Sequence, residues 1–325
     1  MFGTDKLKAE ISITDTEVEC PVKECSTRVP RQRQRFKPLP QFFCRSHRIY
    51  ISPSTFEYKH EKDNLLCQNS DEIDLLEAVK GKKRESRIAR DNSEDALSWN
   101  VFRFLERSNN LLPWIELITG KREGSIEDII YWSYSTAQRS QWDLLKSARR
   151  EFGEANARGS EPDLAVVTAR SIIFIEAKLT SSSKTSGDKK TLALRLANPK
   201  RYTTGGGRWF STVFASDYAA LLNDQKYELM RFWLLGTWMA SQVNRDFCLV
   251  ALVCRESERE IQQEFQRHLK DNSQRRFLRK TWEDIFKFTE VSTEPSEDRD
   301  RFTRYLTNKT VGYDHAGQLQ KAFRL

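Results

Sequence analysis

Residues 161–179 read "EPDLAVVTARSIIFIEAKL", two apolar runs, Leu164 to Val167 and Ile172 to Ile175, each bordered by charge. Both runs are short and rich in β-branched residues, and they are separated by a turn around Thr168 to Ser171, so they predict a buried hairpin. Side chains along a strand alternate between faces, so Ile172, Phe174, Glu176 and Lys178 share one face. Asp163 starts the first strand and falls opposite the end of the second. Two carboxylates and an ammonium therefore converge at one end of an apolar sheet.

Charge is costly to bury there unless it is paired or metal-bound. Two acids a few ångström apart repel, and one takes up a proton unless a divalent cation sits between them. Carboxylate oxygens, water and phosphate are what magnesium prefers. A lysine beside such a cation can orient, or help deprotonate, a water that attacks a phosphodiester. The bland alternative is a hairpin whose last residues are a surface Glu and Lys.

Working outward, "DEIDLLEAVKGKKRESRIARDNSEDALSWNVFRFLER" has a helical texture that restarts at Asp91-Asn92-Ser93. Within it Glu94 shares a face with Leu97, Val101 and Leu105, which turns it inward, whereas Asp95 lies on another face. Alternatively both acids complement the helix dipole behind a Ser93 cap. "WIELITG" and "DIIYWSYS" are strand-like, as is Phe247 to Cys254, where Cys248 and Cys254 read as core residues. The stretch from Ser216 to Val243 predicts one or two long helices, in which Glu228 and Arg231 form a structural pair. "ESEREIQQEFQRHL" predicts a further helix, "TSSSKTSGDKK" a mobile loop, and "STEPSEDRD" a polar linker. Trp209, after a glycine-rich stretch, is a candidate to approach DNA, and His268 and His315 are expected to be exposed or capping. The order of elements indicates an α/β fold, a central mixed β-sheet flanked by helices.

Near the N-terminus the spacing Cys20-x4-Cys25, an 18-residue gap, then Cys44-x2-His47 offers zinc four ligands from two tight turns. His60 and Cys67 are spare ligands; the bland reading makes Cys44 and Cys67 buried hydrophobes. Between Cys20 and Arg48 eight Lys or Arg face one acid, Glu24, a large part of the formal net charge of +8. Arg31, Arg33, Arg35, Lys37, Arg45 and Arg48 are thus candidates to contact the phosphates of a nucleic acid. No apolar run approaches a membrane span, and the first residues lack a signal-peptide core, which implies a cytoplasmic protein without a membrane partner.

Pro162-Asp163, twelve residues, then Glu176-Ala177-Lys178 resembles the PD-(D/E)xK motif of the restriction-endonuclease-like nuclease superfamily. The resemblance covers roughly residues 85–270 and implies a Mg2+-dependent DNA endonuclease. In it Asp163 and Glu176 bind the metal, Lys178 serves the attacking water, and Glu94 stands as the acid that members often add from an N-terminal core helix; Glu161 is a weaker candidate. It also suggests 5′-phosphate products and a restriction or phage-defence setting, with a homodimer if both strands are cut. The expected division is a zinc-binding module over 1–70, the nuclease core over 71–290, and a linker with C-terminal segment over 291–325. The competing reading is a non-catalytic DNA-binding or scaffold protein; RNA or branched DNA is a further substrate option.

Overall fold

The computed structural model describes residues 1–325 other than 4, 34–35, 82–86, 155–160, 183, 186 and 271. The chain forms two compact units, one of Met1–Glu77, Glu85–Leu111 and Trp282–Leu325, the other of Ala78–Arg84 and Leu112–Thr281. The C-terminal segment thus rejoins the N-terminal residues, and the boundaries expected at 70/71 and 290/291 do not coincide with these.

In the first unit, β1 (Glu17–Glu19) pairs antiparallel with β2 (Arg28–Pro30). A separate antiparallel sheet joins β3 (Phe43–Cys44), β4 (Ile49–Ile51) and β5 (Phe56–Tyr58). Their inward residues, among them Val18, Val29, Ile49 and Phe56, form a small core with Leu7 and Tyr313. The helix Glu94–Arg107 starts where expected, with Ser93 Oγ accepting from the Ala96 amide at 3.1 Å.

The stretch 292–300, expected as a polar linker, turns into the helix Glu297–Thr307. Ser296 caps it, accepting from the Arg299 amide at 3.2 Å, and Glu297, Asp298 and Asp300 complement its N-terminus. Phe302, Tyr305 and Leu306, spaced three and four apart, supply the buried stripe, and Phe302 stacks on Phe104 with centroids 4.0 Å apart.

The second unit is built on a seven-stranded sheet: β6 (Ile126–Tyr131), β7 (Tyr134–Ser135), β8 (Ser140–Gln141), β9 (Leu164–Thr168), β10 (Ser171–Ala177), β11 (Asp246–Val253) and β12 (Arg275–Thr281). Their order across the sheet is β12-β11-β10-β9-β6-β7-β8. β10 is the hinge between patterns: it runs antiparallel to β9 and parallel to β11, which in turn is parallel to β12. Strands covered on both faces need apolar side chains at every position, which is why "LAVVT" and "SIIFIEA" are buried throughout. "RRFLRKT" gave no such signal because β12 is an edge strand whose buried residues are Phe277 and Thr281.

Three expectations need correction here. "WIELITG" lies in a helix, Leu111–Thr119, with Leu111, Trp114, Ile115 and Ile118 buried at helical spacing; a short apolar run fits either element until its period is weighed. The helix expected over "ESEREIQQEFQRHL" shrinks to Ile261–Gln266. The predicted mobile stretch ends in the helix Lys189–Ala197, capped by Asp188. Among the described residues no helix is long and apolar enough to cross a membrane.

The helix Tyr227–Gln242 covers β10 and β11, placing Met230, Trp233 and Leu234 in one core with Phe174, Phe247 and Leu249. It lies so close that a Cβ at Gly236 would fall 2.1 Å from Phe247 Cε2. Gly236→Ala should therefore destabilise the protein by roughly 1–3 kcal/mol through overpacking, although alanine is the better helix former by about 1 kcal/mol. Urea unfolding checks this; a stabilised variant would show that the contact is not tight.

Candidate functional site

The ladder places Ile175 opposite Leu164, so Asp163 falls just beyond the paired residues at the end of β10. Donors from two neighbouring segments hold its carboxylate there. The Ala177 amide donates to Oδ2 at 2.8 Å, and the Trp132 indole donates to Oδ1 at 3.3 Å. Trp132 adopts a positive φ of 56° in the β6–β7 turn, an uncommon conformation for a bulky residue, and its own amide donates to the Asp163 carbonyl. The turn thus fixes the acid from one side while β10 fixes it from the other.

Glu176 is 4% exposed and shares a face with Phe174, as strand alternation requires. Lys178 Nζ donates to Glu176 Oε1 at 2.5 Å and to Glu228 Oε2 at 3.1 Å. Glu176 Oε2 is buried with no hydrogen-bond partner among the described residues. Burial first, then the Glu228 and Asp163 carboxylates, push the Glu176 carboxyl well above its ordinary range against the pull of Lys178. Burial also works against the Lys178 ammonium, but Glu176, Glu228 and Asp163 outweigh it and hold the amine protonated.

Glu228 was not predicted here. Its three-residue spacing to Arg231 suggested an ion pair on one helix, but Arg231 pairs bidentately with Glu154, Nε and Nη2 donating at 2.7 Å each. Tyr202 donates to Glu154 at 2.6 Å, and its hydroxyl lies 3.0 Å from that of Tyr227. Glu228 is anchored from a second segment, its amide donating to Thr185 Oγ1 at 3.0 Å. No local pattern links positions 178, 185 and 228; only the packing of the helix on the sheet does so.

Three carboxylates against one ammonium leave a surplus of two negative charges, and the oxygen-only donor set suits a hard divalent cation. Asp163 and Glu176 are the residues that would hold it. Lys178 stands between Glu176 and Glu228, so their oxygens do not converge on one point as they stand.

Glu94 lies in the first unit, as the first residue of its helix behind the Ser93 cap, whereas Asp163, Glu176 and Lys178 are brought together in the second. Glu161 accepts from Arg149 at 3.0 Å. Trp209 does not reach outward: it donates to Thr237 Oγ1 at 3.0 Å and packs against the core. His268, expected to be exposed or capping, is 3% exposed, with Nδ1 2.8 Å from Ser216 Oγ.

In the first unit Cys20, Cys25, Cys44 and His47 have their donor atoms within 4.8 Å of one another. Cys20 Sγ and Cys44 Sγ lie 3.7 and 3.6 Å from His47 Nδ1, and Cys25 Sγ lies 3.8 Å from Cys44 Sγ. Ligands about 2.3 Å from a tetrahedral zinc stand roughly 3.7 Å apart, so these separations fit that ion. Each pair sits on a turn containing one left-handed residue, Glu24 before Cys25 and Arg48 after His47. Burial drives the Cys20 thiol upward, a cost that a bound cation would offset. Cys67 and His60 are not in the group.

Arg31, Arg33, Lys37, Arg45 and Arg48 are exposed on the same unit; Arg35 lies outside the described residues. Arg31 and Arg33 are tethered by donating to the Thr14 and Asp15 carbonyls at 3.0 and 2.9 Å.

Purified protein should carry about one zinc per chain, and Cys44→Ser should lose it together with the fold of the first unit; elemental analysis and circular dichroism check both. A buried carboxyl whose folded pKa is raised contributes stability below its unfolded pKa, and that stability is lost as pH rises through the folded value. In magnesium-free buffer Glu176→Gln should therefore raise the melting temperature, with a gain that grows from acidic toward alkaline pH. A gain independent of pH would mean that Glu176 is not held at a raised pKa.

The chain matches no protein-family model, no curated protein and no solved structure, so its function must be argued from these two groups of residues.

Proposed function

We propose that the protein is a magnesium-dependent DNA endonuclease with a PD-(D/E)xK, restriction-endonuclease-like core, acting in restriction or another form of phage defence. One observation carries this reading: a fixed carboxylate, Asp163, and a buried one with a spare oxygen, Glu176, meet Lys178 at the end of a strand that pairs antiparallel on one side and parallel on the other. The antiparallel strands β6, β9 and β10, followed by parallel β11 and β12, are consistent with that core.

Magnesium, when bound by Asp163 and Glu176, supplies Lewis-acid stabilisation of charge on the scissile phosphate and lowers the pKa of a bound water. Lys178, kept protonated by its carboxylates, acts as a donor that orients the attacking water. Glu228 holds Lys178 in place and is a positioning residue. The water oxygen attacks phosphorus and gives up a proton to solvent, the bond from phosphorus to the 3′ oxygen breaks, and that oxygen takes up a proton from solvent, so the products are a 5′-phosphate and a 3′-hydroxyl. The exposed arginines and lysines of the zinc-binding unit contact phosphates without reading bases. A double-strand cut calls for two copies of the chain.

Plasmid, linear, methylated and single-stranded DNA incubated with magnesium should be cut by the natural protein, and cutting should fall about 100-fold or more in Asp163→Ala and Lys178→Ala, with DNA binding retained in Lys178→Ala. Salt-sensitive binding with no cutting of any substrate would replace this reading with that of a non-catalytic DNA-binding protein.

A further inference from the structure

The second unit holds a cavity of about 840 Å³, within the size range of a small-ligand site, lined in part by Tyr227, the residue before Glu228. Its lining includes Arg195, Lys200, Arg201, Tyr202, Tyr218 and Tyr227, with no acidic residue among the described residues that line it. Arg195 lies over the Tyr227 ring with its guanidinium 3.5 Å from the centroid, and Arg201 over that of Tyr202 at 5.4 Å. Arg201 Nε is buried with no hydrogen-bond partner among the described residues.

Two features tie this cavity to the candidate active site. Tyr227, on its wall, is followed at once by Glu228, which binds Lys178. The wall is also preformed, because Tyr202 and Tyr227 are fixed through the buried pair of Glu154 and Arg231. Rings that accept a base and cations that accept a phosphate are the two chemistries by which unstacked nucleotides are held. A base inside a duplex is stacked and paired, so it cannot enter a concave site without leaving the helix.

We infer that this cavity takes one unpaired nucleotide of the strand to be cut, its base against the guanidinium that Arg195 lays over Tyr227 and its phosphate on Lys200 and Arg201. The adjoining phosphate then falls at Asp163, Glu176 and Lys178. The enzyme accordingly prefers DNA with a frayed or single-stranded end over intact duplex. This inference rests on the nuclease reading above for the word "cut", but the binding it describes does not need cleavage.

The test measures anisotropy of two labelled probes, a single-stranded oligodeoxynucleotide and a blunt duplex of the same sequence, in magnesium-free buffer with zinc retained. Lys200→Gln, an exposed position, and Arg201→Gln are compared with the natural chain, and melting curves confirm that each is folded. The expected result is single-strand affinity weaker by about tenfold in Arg201→Gln and a salt slope smaller by about one in Lys200→Gln, with duplex affinity unchanged. Equal affinity of the natural chain for both probes, or variants that bind the single strand as the natural chain does, would overturn the inference. The two readings fail separately: cleavage that depends on Asp163 but not on these residues removes the cavity's role alone. Cavity-dependent binding without cleavage of any substrate removes the nuclease and with it the assignment to a strand being cut.

Discussion

The Ala177 amide that donates to Asp163 ties the end of β10 to the start of β9, and the arrangement around it follows from that bond. It takes a carboxylate to the rim of a sheet whose neighbouring residues are almost wholly inaccessible to water. Once Asp163 is there, Glu176 on the adjoining strand cannot be a surface residue, and its charge must be answered within a few ångström. Lys178 answers it, and Glu228 comes with Lys178. The result is a cluster that is overcharged by two when ionised, in which burial and the neighbouring carboxylates push the Glu176 carboxyl upward. A fold that needed only stability would gain by replacing such a cluster with apolar side chains; keeping it is intelligible if the cluster has chemistry to perform.

The first unit meets a different constraint. Its strands are two to four residues long and bury few side chains each, so hydrophobic burial alone gives them little stability. Three sulfurs and one imidazole at tetrahedral separations could hold a metal ion that would supply what the core does not. The loop between the two pairs carries a dense run of positive charge, and Arg31, Arg33, Arg45 and Arg48 are exposed.

Much of this was legible in the sequence, for a physical reason in each case. The hairpin could be read because strand alternation is strict: once "IIFI" is a strand, Glu176 and Lys178 must share a face. The Cys20, Cys25, Cys44 and His47 group could be read because two short spacings encode two turns. What could not be read depends on contacts between distant segments or on weak local pattern. β12 is charged because an edge strand has little to bury; the helix Glu297–Thr307 hides under its polar residues, although Ser296 and the acids after it spell a cap. "WIELITG" reads as a strand because so short a stretch has too few periods to tell a helix from a strand, whereas it falls within and just past the helix Leu111–Thr119.

The misassigned partner of Arg231 shows how magnitudes settle such a choice. Glu228 and Arg231, three apart on one helix, would gain a few tenths of a kcal/mol from pairing. Glu154 is 1% exposed, and leaving a buried carboxylate unpaired costs on the order of 3–5 kcal/mol. Burial opposes ionisation of Glu154, yet the two parallel hydrogen bonds from Arg231 hold its carboxyl below the ordinary range. Arg231 therefore turns inward, and Glu228 is released to face Lys178. The buried pair thus does more than close a gap in the core. By taking up the cation three residues along the same helix, it leaves Glu228 to Lys178 at the end of β10, and it fixes Tyr202 and Tyr227 through Glu154.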